Sequence, residues 1–263
     1  MKPILRVSVL LLLACAPSCG LTLLSEQQEL KMGLEAYPEE TGKFREIKSG
    51  RDYQIVNNAM RRLIPYANKD VAKNFSQPFA WEVKLLDAPK IVNAWCLPGG
   101  KMAVYSGILP IAKGETGLAV VMSHEIAHAV LRHGNKRMSQ NMVLNGLMKA
   151  GTLIFSQGAT GGEAAGTNNL ILKALGLGAQ YGAVLPFSRK HESEADAYGL
   201  ELLVQAGYDP REAVRLWKRM AKLSQRQPEF MSTHPDPLNR ARALEAMIPQ
   251  VLAKYGKTRV GSF

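Results

Sequence analysis

Residues 119–134 read AVVMSHEIAHAVLRHG, with His124 and His128 four positions apart and Glu125 directly after the first histidine. Leu118, Val121, Met122, Ile126, Ala129 and Val130 recur around them at helical spacing. Apolar residues on most sides predict a buried helix, with Gly134 as its C-cap. On a helix, residues four apart share a face, one turn from each other. Two imidazole nitrogens placed so can meet one metal ion at about 2.0–2.1 Å. Glu125 can then face a water on that ion without binding the ion, which is the H-E-x-x-H arrangement. The plain alternative is a chance pair on a core helix. With five histidines in the chain, composition alone yields such a pattern about half a per cent of the time.

A catalytic zinc takes three protein ligands and leaves one position open. The stretch HESEAD at 191–196 offers the third. Glu192 and Asp196 are four apart on a predicted helix and share a face; Glu194 points away from it. Glu192 can be the third ligand, and Asp196 can accept the outer N–H of a ligand histidine and fix its tautomer. Each carboxylate alone would be a solvated charge, but this cluster interrupts an apolar region. His191 is expected at the surface. His133 is expected off the metal face, at a helix C-terminus where the dipole favours it. His234, in FMSTHPDPLNR, is either an ordinary loop histidine, a donor to an oxyanion, or a cap on the open metal position.

Outward from the site, the period changes. FAWEVKLLD (79–87), IVNAWCL (91–97) and KMAVYSGIL (101–109) alternate as strands, the last two joined by a turn at Pro98–Gly100. They predict a small sheet of three or four strands. Before it, Ser25 and Gln28 form a capping box, and RDYQIVNNAMRRLIPYANKD (51–70) is an amphipathic helix. Residues 138–156 and 170–187 read as apolar helices around a glycine-rich loop at 157–169. They are expected to form a hairpin that packs on the core or touches a membrane. Three further helices follow, the last two opened by Asp209–Pro210 and Asp236–Pro237. The expected fold class is α+β, mainly helical, in one domain.

The first twenty residues, MKPILRVSVLLLLACAPSCG, have the charged start, apolar run and small-residue end of a secretory leader. Cys15 follows Leu-Leu-Ala, which resembles a lipoprotein cleavage site, so Cys15 is the candidate lipid attachment. Ordinary cleavage near residues 14–18 is the alternative. Either route exports the protein. Ala16 after Cys15 points to an outer-membrane destination in a Gram-negative envelope. Of the three cysteines, Cys19 and Cys96 could pair in an oxidising compartment, though isolated cysteines are more often free. The net charge of +11 suits anionic headgroups. Nucleic acid is not an expected partner, because the basic residues are scattered and the protein is exported.

HEIAH, then ESEAD some sixty residues on, then STHPDPLNR, with VNAWCLPGGKMAVYSGIL before them, closely resembles family 48 of the metallopeptidases. The resemblance runs from about Ser25 to about residue 250. It implies a gluzincin fold with the sheet before the active-site helix, and hydrolysis of peptide bonds with one Zn²⁺ per chain. His124, His128 and Glu192 match the metal ligands and Glu125 the general base. Asp196 matches the supporting carboxylate, His234 the histidine of a mobile loop, and Arg240 a structural anchor. Asn93, Ala94 and Trp95 are expected on a strand that holds substrate backbone by β-addition. The implied organisation is a leader at 1–14, a linker at 15–24 and a metallopeptidase domain at 25–263. Unfolded or misfolded envelope proteins are the expected substrates, with membrane contact through the lipid. The alternative is a zinc-binding assembly factor with latent activity. The family's integral-membrane members carry several hydrophobic spans, and none is expected here after the leader.

Overall fold

The structure is a computed structural model that describes residues 21–142, 187–223 and 229–255. The leader, Cys15, Cys19 and nearly all of the expected hairpin lie outside the described residues. Among the described residues, no helix is long and apolar enough to cross a membrane.

Helix α1 spans Glu26–Thr41. Its capping box forms as expected: Ser25 Oγ accepts from Gln28 N at 3.2 Å, and Gln28 Oε1 accepts from Ser25 N at 2.9 Å. A short strand, β1 (Glu46–Ile47), precedes helix α2 (Gly50–Asn74). Helix α2 buries Val56, Ala59, Met60, Leu63, Ala67 and Val71, one stripe at i, i+3, i+4 spacing.

The sheet follows: β2 (Glu82–Leu86), β3 (Ala94–Leu97) and β4 (Lys101–Tyr105). The order is β1-β2-β4-β3, with β2 and β4 parallel and the other pairs antiparallel. Four strands agree with the expected three or four. The β3–β4 turn needs two left-handed residues, and Gly99 and Gly100 supply them at φ 85° and 82°. Three boundaries differ from the sequence expectation, one of them the start of β3 at Ala94 and not Ile91. The first predicted strand begins at Glu82, because Phe79 leaves the sheet to meet Phe75 edge-on at 4.6 Å. The third ends at Tyr105 and turns into a 3-10 segment and the short helix α3 (Leu109–Ala112), where Pro110 cannot donate to a ladder.

Helix α4 (Glu115–Val130) carries both histidines and is buried continuously from Gly117 to Val130. It lies against α2, against β3 and against helix α6 (Arg189–Gln205). The expected C-cap at Gly134 is not used. Arg132 takes the left-handed conformation at φ 59°, and a new helix, α5, runs over residues 133–142. Arg132 is held there by Glu29, whose Oε2 accepts from its Nε at 2.9 Å. Helices α7 (Arg211–Ala221), α8 (Glu229–Thr233) and α9 (Pro237–Tyr255) complete the described chain. Asp209 Oδ1 accepts from Arg211 N at 2.9 Å, but the helix begins at Arg211, so Pro210 stands at its N-cap and not at the expected N1.

Candidate metal centre

The site is made where α6 crosses α4. Gly199 allows the approach: a Cβ there would lie 3.2 Å from the backbone N of His124 and 3.3 Å from its Cα. Seven and three residues earlier on α6, Glu192 and Asp196 therefore face the two histidines. Helix α9 closes the site from the other side with Arg240, and α8 delivers His234.

Ligand atoms of His124, His128, Glu192 and His234 all lie within 4.8 Å of one another, and all four residues are buried. His124 Nε2 is 3.0 Å from His128 Nε2 and 3.5 Å from Glu192 Oε2. His128 Nε2 is 3.4 Å from Glu192 Oε1. His234 Nδ1 stands 3.2 Å from His124 Nε2 and 3.0 Å from Glu192 Oε1. Its Nε2 is 3.4 Å from Glu125 Oε1. Nitrogen and carboxylate donors in one buried cluster are the set that zinc and similar divalent ions take.

The charges suit a dication. Glu125, Glu192 and Asp196 carry three negative charges, and Arg240 is the cation bonded among them; the formal sum is −3 + 1 = −2. The next cation out, Arg137, stacks 3.9 Å over the Phe187 ring. Arg240 Nη1 lies 2.7 Å from Glu192 Oε2, its Nε donates to Asp196 Oδ2 at 2.8 Å, and its guanidinium stacks 3.5 Å over Trp217.

The ionisations follow from these contacts. Burial raises the Glu192 carboxyl, but the facing His234 and Arg240 and the bonds from His124 and His128 outweigh it and hold it well below the usual range. Asp196 is also held low, its burial outweighed by Arg240 and His124. Burial and Arg240 push the His124 imidazole down, yet bonds to Asp196 and Glu192 lift it to about 9. A proton there stands where a cation would. Burial keeps His128 neutral, well below its ordinary value. Burial also raises Glu125, against the pull of His234 and His124.

Asp196 Oδ1 lies 3.2 Å from His124 Nδ1, the contact expected of a carboxylate supporting that histidine. Two expectations are corrected. His191 is not at the surface but 5% exposed, stacked on His133 at 4.6 Å. His133 is not a helix C-terminal histidine but the first residue of α5. It is fully buried, with its Nδ1 3.0 Å from His128 Nδ1 and its Nε2 3.0 Å from Glu194 Oε2. The left-handed Arg132 turns the chain back and brings it there, a break that a continuous helical wheel hides. The sequence reading also passed over Phe187, which stacks on His128 at 3.9 Å, and Trp217.

Asn93, Ala94 and Trp95 are buried side chains at the start of the edge strand β3, beside α4. Val92 O accepts from Phe230 N at 3.2 Å, tying that strand to α8. Cys96 is unbridged among the described residues.

The family described as Peptidase family M48 matches residues 56–248. The chain is 33% identical over 232 residues to the mitochondrial metalloendopeptidase OMA1 of Schizosaccharomyces pombe, covering 86% of this chain and 63% of that protein. It is 34% identical over 209 residues to the mitochondrial metalloendopeptidase OMA1 of Homo sapiens, covering 76% and 38%. It is 28% identical over 247 residues to the beta-barrel assembly-enhancing protease of Escherichia coli strain K12, covering 89% and 47%. The chain thus spans less than two thirds of the length of each.

Proposed function

The chain belongs to peptidase family M48, and from that premise we propose that it is an exported, zinc-dependent endopeptidase acting on unfolded or misfolded envelope proteins. The observation that carries this reading is the buried meeting of His124, His128 and Glu192 beside Glu125.

In this reading His124, His128 and Glu192 hold the ion. When bound, the ion supplies Lewis acidity that polarises a peptide carbonyl and acidifies water. Glu125 takes a proton from the attacking water and delivers it to the leaving nitrogen. Its raised carboxyl suits a group that must both accept and give a proton. Asp196 orients His124, and Arg240 holds the Glu192 and Asp196 carboxylates in place. Strand β3 lies at the edge of the sheet among the described residues, and β-addition of an extended peptide along it would favour unfolded substrate. One M48 domain covers 25–263.

Export rests on the leader at 1–14, and lipid attachment on Cys15. The Escherichia coli relative named for β-barrel assembly supports an envelope role. A second reading draws on His234. With its Nδ1 among the ligand atoms it caps the resting metal, and the protein is a zinc-binding assembly factor whose proteolysis waits for the loop to move.

The test measures cleavage of an unfolded protein by the purified full chain and by Glu125→Gln at equal metal content. Activity should fall at least about a hundredfold in the variant. Equal activity would remove Glu125 as the base. No cleavage by either, with metal bound, would favour the capped reading, and His234→Ala should then release activity.

A further inference from the structure

His124 has a carboxylate against its outer nitrogen, whereas His128 has another imidazole. The hydrogens in that contact can be assigned. Glu194 lies 3.0 Å from His133 Nε2 and, as a carboxylate, only accepts, so His133 carries its proton on Nε2. A histidine that binds a metal through Nε2 carries its remaining proton on Nδ1, so a metal-bound His128 donates there. His133 Nδ1 lies 3.0 Å from that nitrogen and accepts, in keeping with its own proton on Nε2.

We propose that Glu194 and His133 form a two-step relay that fixes His128 as its Nδ1–H tautomer and leaves Nε2 bare toward the metal. His133 is a positioning residue, and Glu194 acts through it. The arrangement is rigid on both sides. His191 stacks on His133 with ring planes 18° apart, and Phe187 stacks on His128 at 22°. The bare Nε2 is the atom facing His124 and Glu192.

This inference rests on His128 binding metal, so its test separates the two ideas. Zn²⁺ affinity of the full chain is measured by competition with a chromogenic chelator, alongside thermal unfolding of the metal-free protein. His133→Phe keeps the ring and its stacking but loses the acceptor, and should weaken Zn²⁺ by about 10–100-fold. His133→Asn places an oxygen near the lost Nδ1 and should recover most of that affinity. Glu194→Leu should lose less than His133→Phe. Equal losses for Phe and Asn, or no loss for Phe, would overturn the relay. A fourth measurement does not depend on any variant folding. In the Zn²⁺-loaded wild type, imidazole ¹⁵N spectra should show the proton of His133 on Nε2; a proton on its Nδ1 overturns the relay alone. A wild type that binds no Zn²⁺ would overturn the metal reading and the relay with it.

Discussion

His124 and His128 leave one helix a single turn apart, yet the fold supports them by opposite means. His124 is bonded by charged groups: Asp196 and Arg240 contact it, and Arg240 lies flat on Trp217, whose ring meets His124 edge-on. Around His128 the neighbours are rings: Phe187 stacks on one side, and His133 meets its outer nitrogen. The nearest carboxylate on that second path, Glu194, is half-exposed and one residue further out. Paired charge is therefore concentrated on the α6–α9 side of the site, while on the α5 side the buried Arg137 lies over the Phe187 ring. The difference teaches that two equivalent positions in a sequence motif need not be held by equivalent physics. One side depends on ion pairing in a dry interior, the other on neutral hydrogen bonds between stacked rings.

The sharpest way to break the comparison is to remove the cation. Arg240→Leu leaves Glu192 and Asp196 buried without their partner, and losing one member of a buried pair costs about 3–5 kcal/mol. Denaturant unfolding of the metal-free protein should show a loss of that size. Adding Asp196→Leu to the variant should recover part of it, because an uncompensated charge is removed. If Arg240→Leu unfolds like the wild type, the charged side does not depend on this pair.

The two sides should also separate with pH. His133 is pushed down to about 2, mainly by burial and then by His191 and Lys136. The unfolded chain takes up this proton below its ordinary value of 6.5, and the folded chain refuses it. Stability from this group is thus full above pH 6.5 and is lost as pH falls below it, by about 1.4 kcal/mol at pH 5.5. Glu192 and Asp196 have depressed carboxyls. Their contribution is present above the unfolded carboxylate range, near pH 4, and is lost only as pH falls further. Buried Glu29, whose carboxyl is raised by burial, works against the loss in acid. The informative quantity is therefore the difference between wild type and His133→Phe in the metal-free form. That difference should shrink by about 1.4 kcal/mol from pH 7.5 to 5.5; a constant difference would mean that His133 takes up its proton in the fold as readily as in the unfolded chain.

Much of the charged side was legible in the sequence. A spacing of four put His124 and His128 on one face, and the same spacing put Glu192 and Asp196 on another. The ring side was not. His133 follows a left-handed Arg132, and no periodic rule predicts a break held by Glu29, more than a hundred residues away in sequence. His191 looked like a surface residue because its neighbours Lys190 and Ser193 are exposed, while its own burial comes from α5. The sheet was read nearly whole, but β1 escaped because two residues carry no alternation. Periodicity reports which residues share a face. It is silent on where a helix stops and which distant element covers that face.

The smallest expected effect on stability bears on what joins the two sides. Gly199 sets how closely α6 meets α4 at His124, on the charged side only. In Gly199→Ala the new Cβ would sit 3.2–3.3 Å from the α4 backbone, so the helices must part by a few tenths of an ångström. Overpacking of this kind costs about 1–3 kcal/mol, and a single methyl belongs at the lower end. Glu192 and Asp196 move with α6, as do Glu194 and His191 beside His133, but only the first two touch the ligand atoms or their outer nitrogens directly. Zn²⁺ affinity should therefore fall by more than the unfolding free energy does, since a site held by α6 is displaced as a unit from the histidines. The imidazole ¹⁵N signal of His124, which Asp196 contacts directly, should shift more than those of His128 and His133. If both histidines shift together, α4 itself has yielded, and the two supports are one mechanical unit. If neither shifts and affinity is unchanged, the α6 carboxylates reach the ligands with slack to spare, and Gly199 serves packing alone.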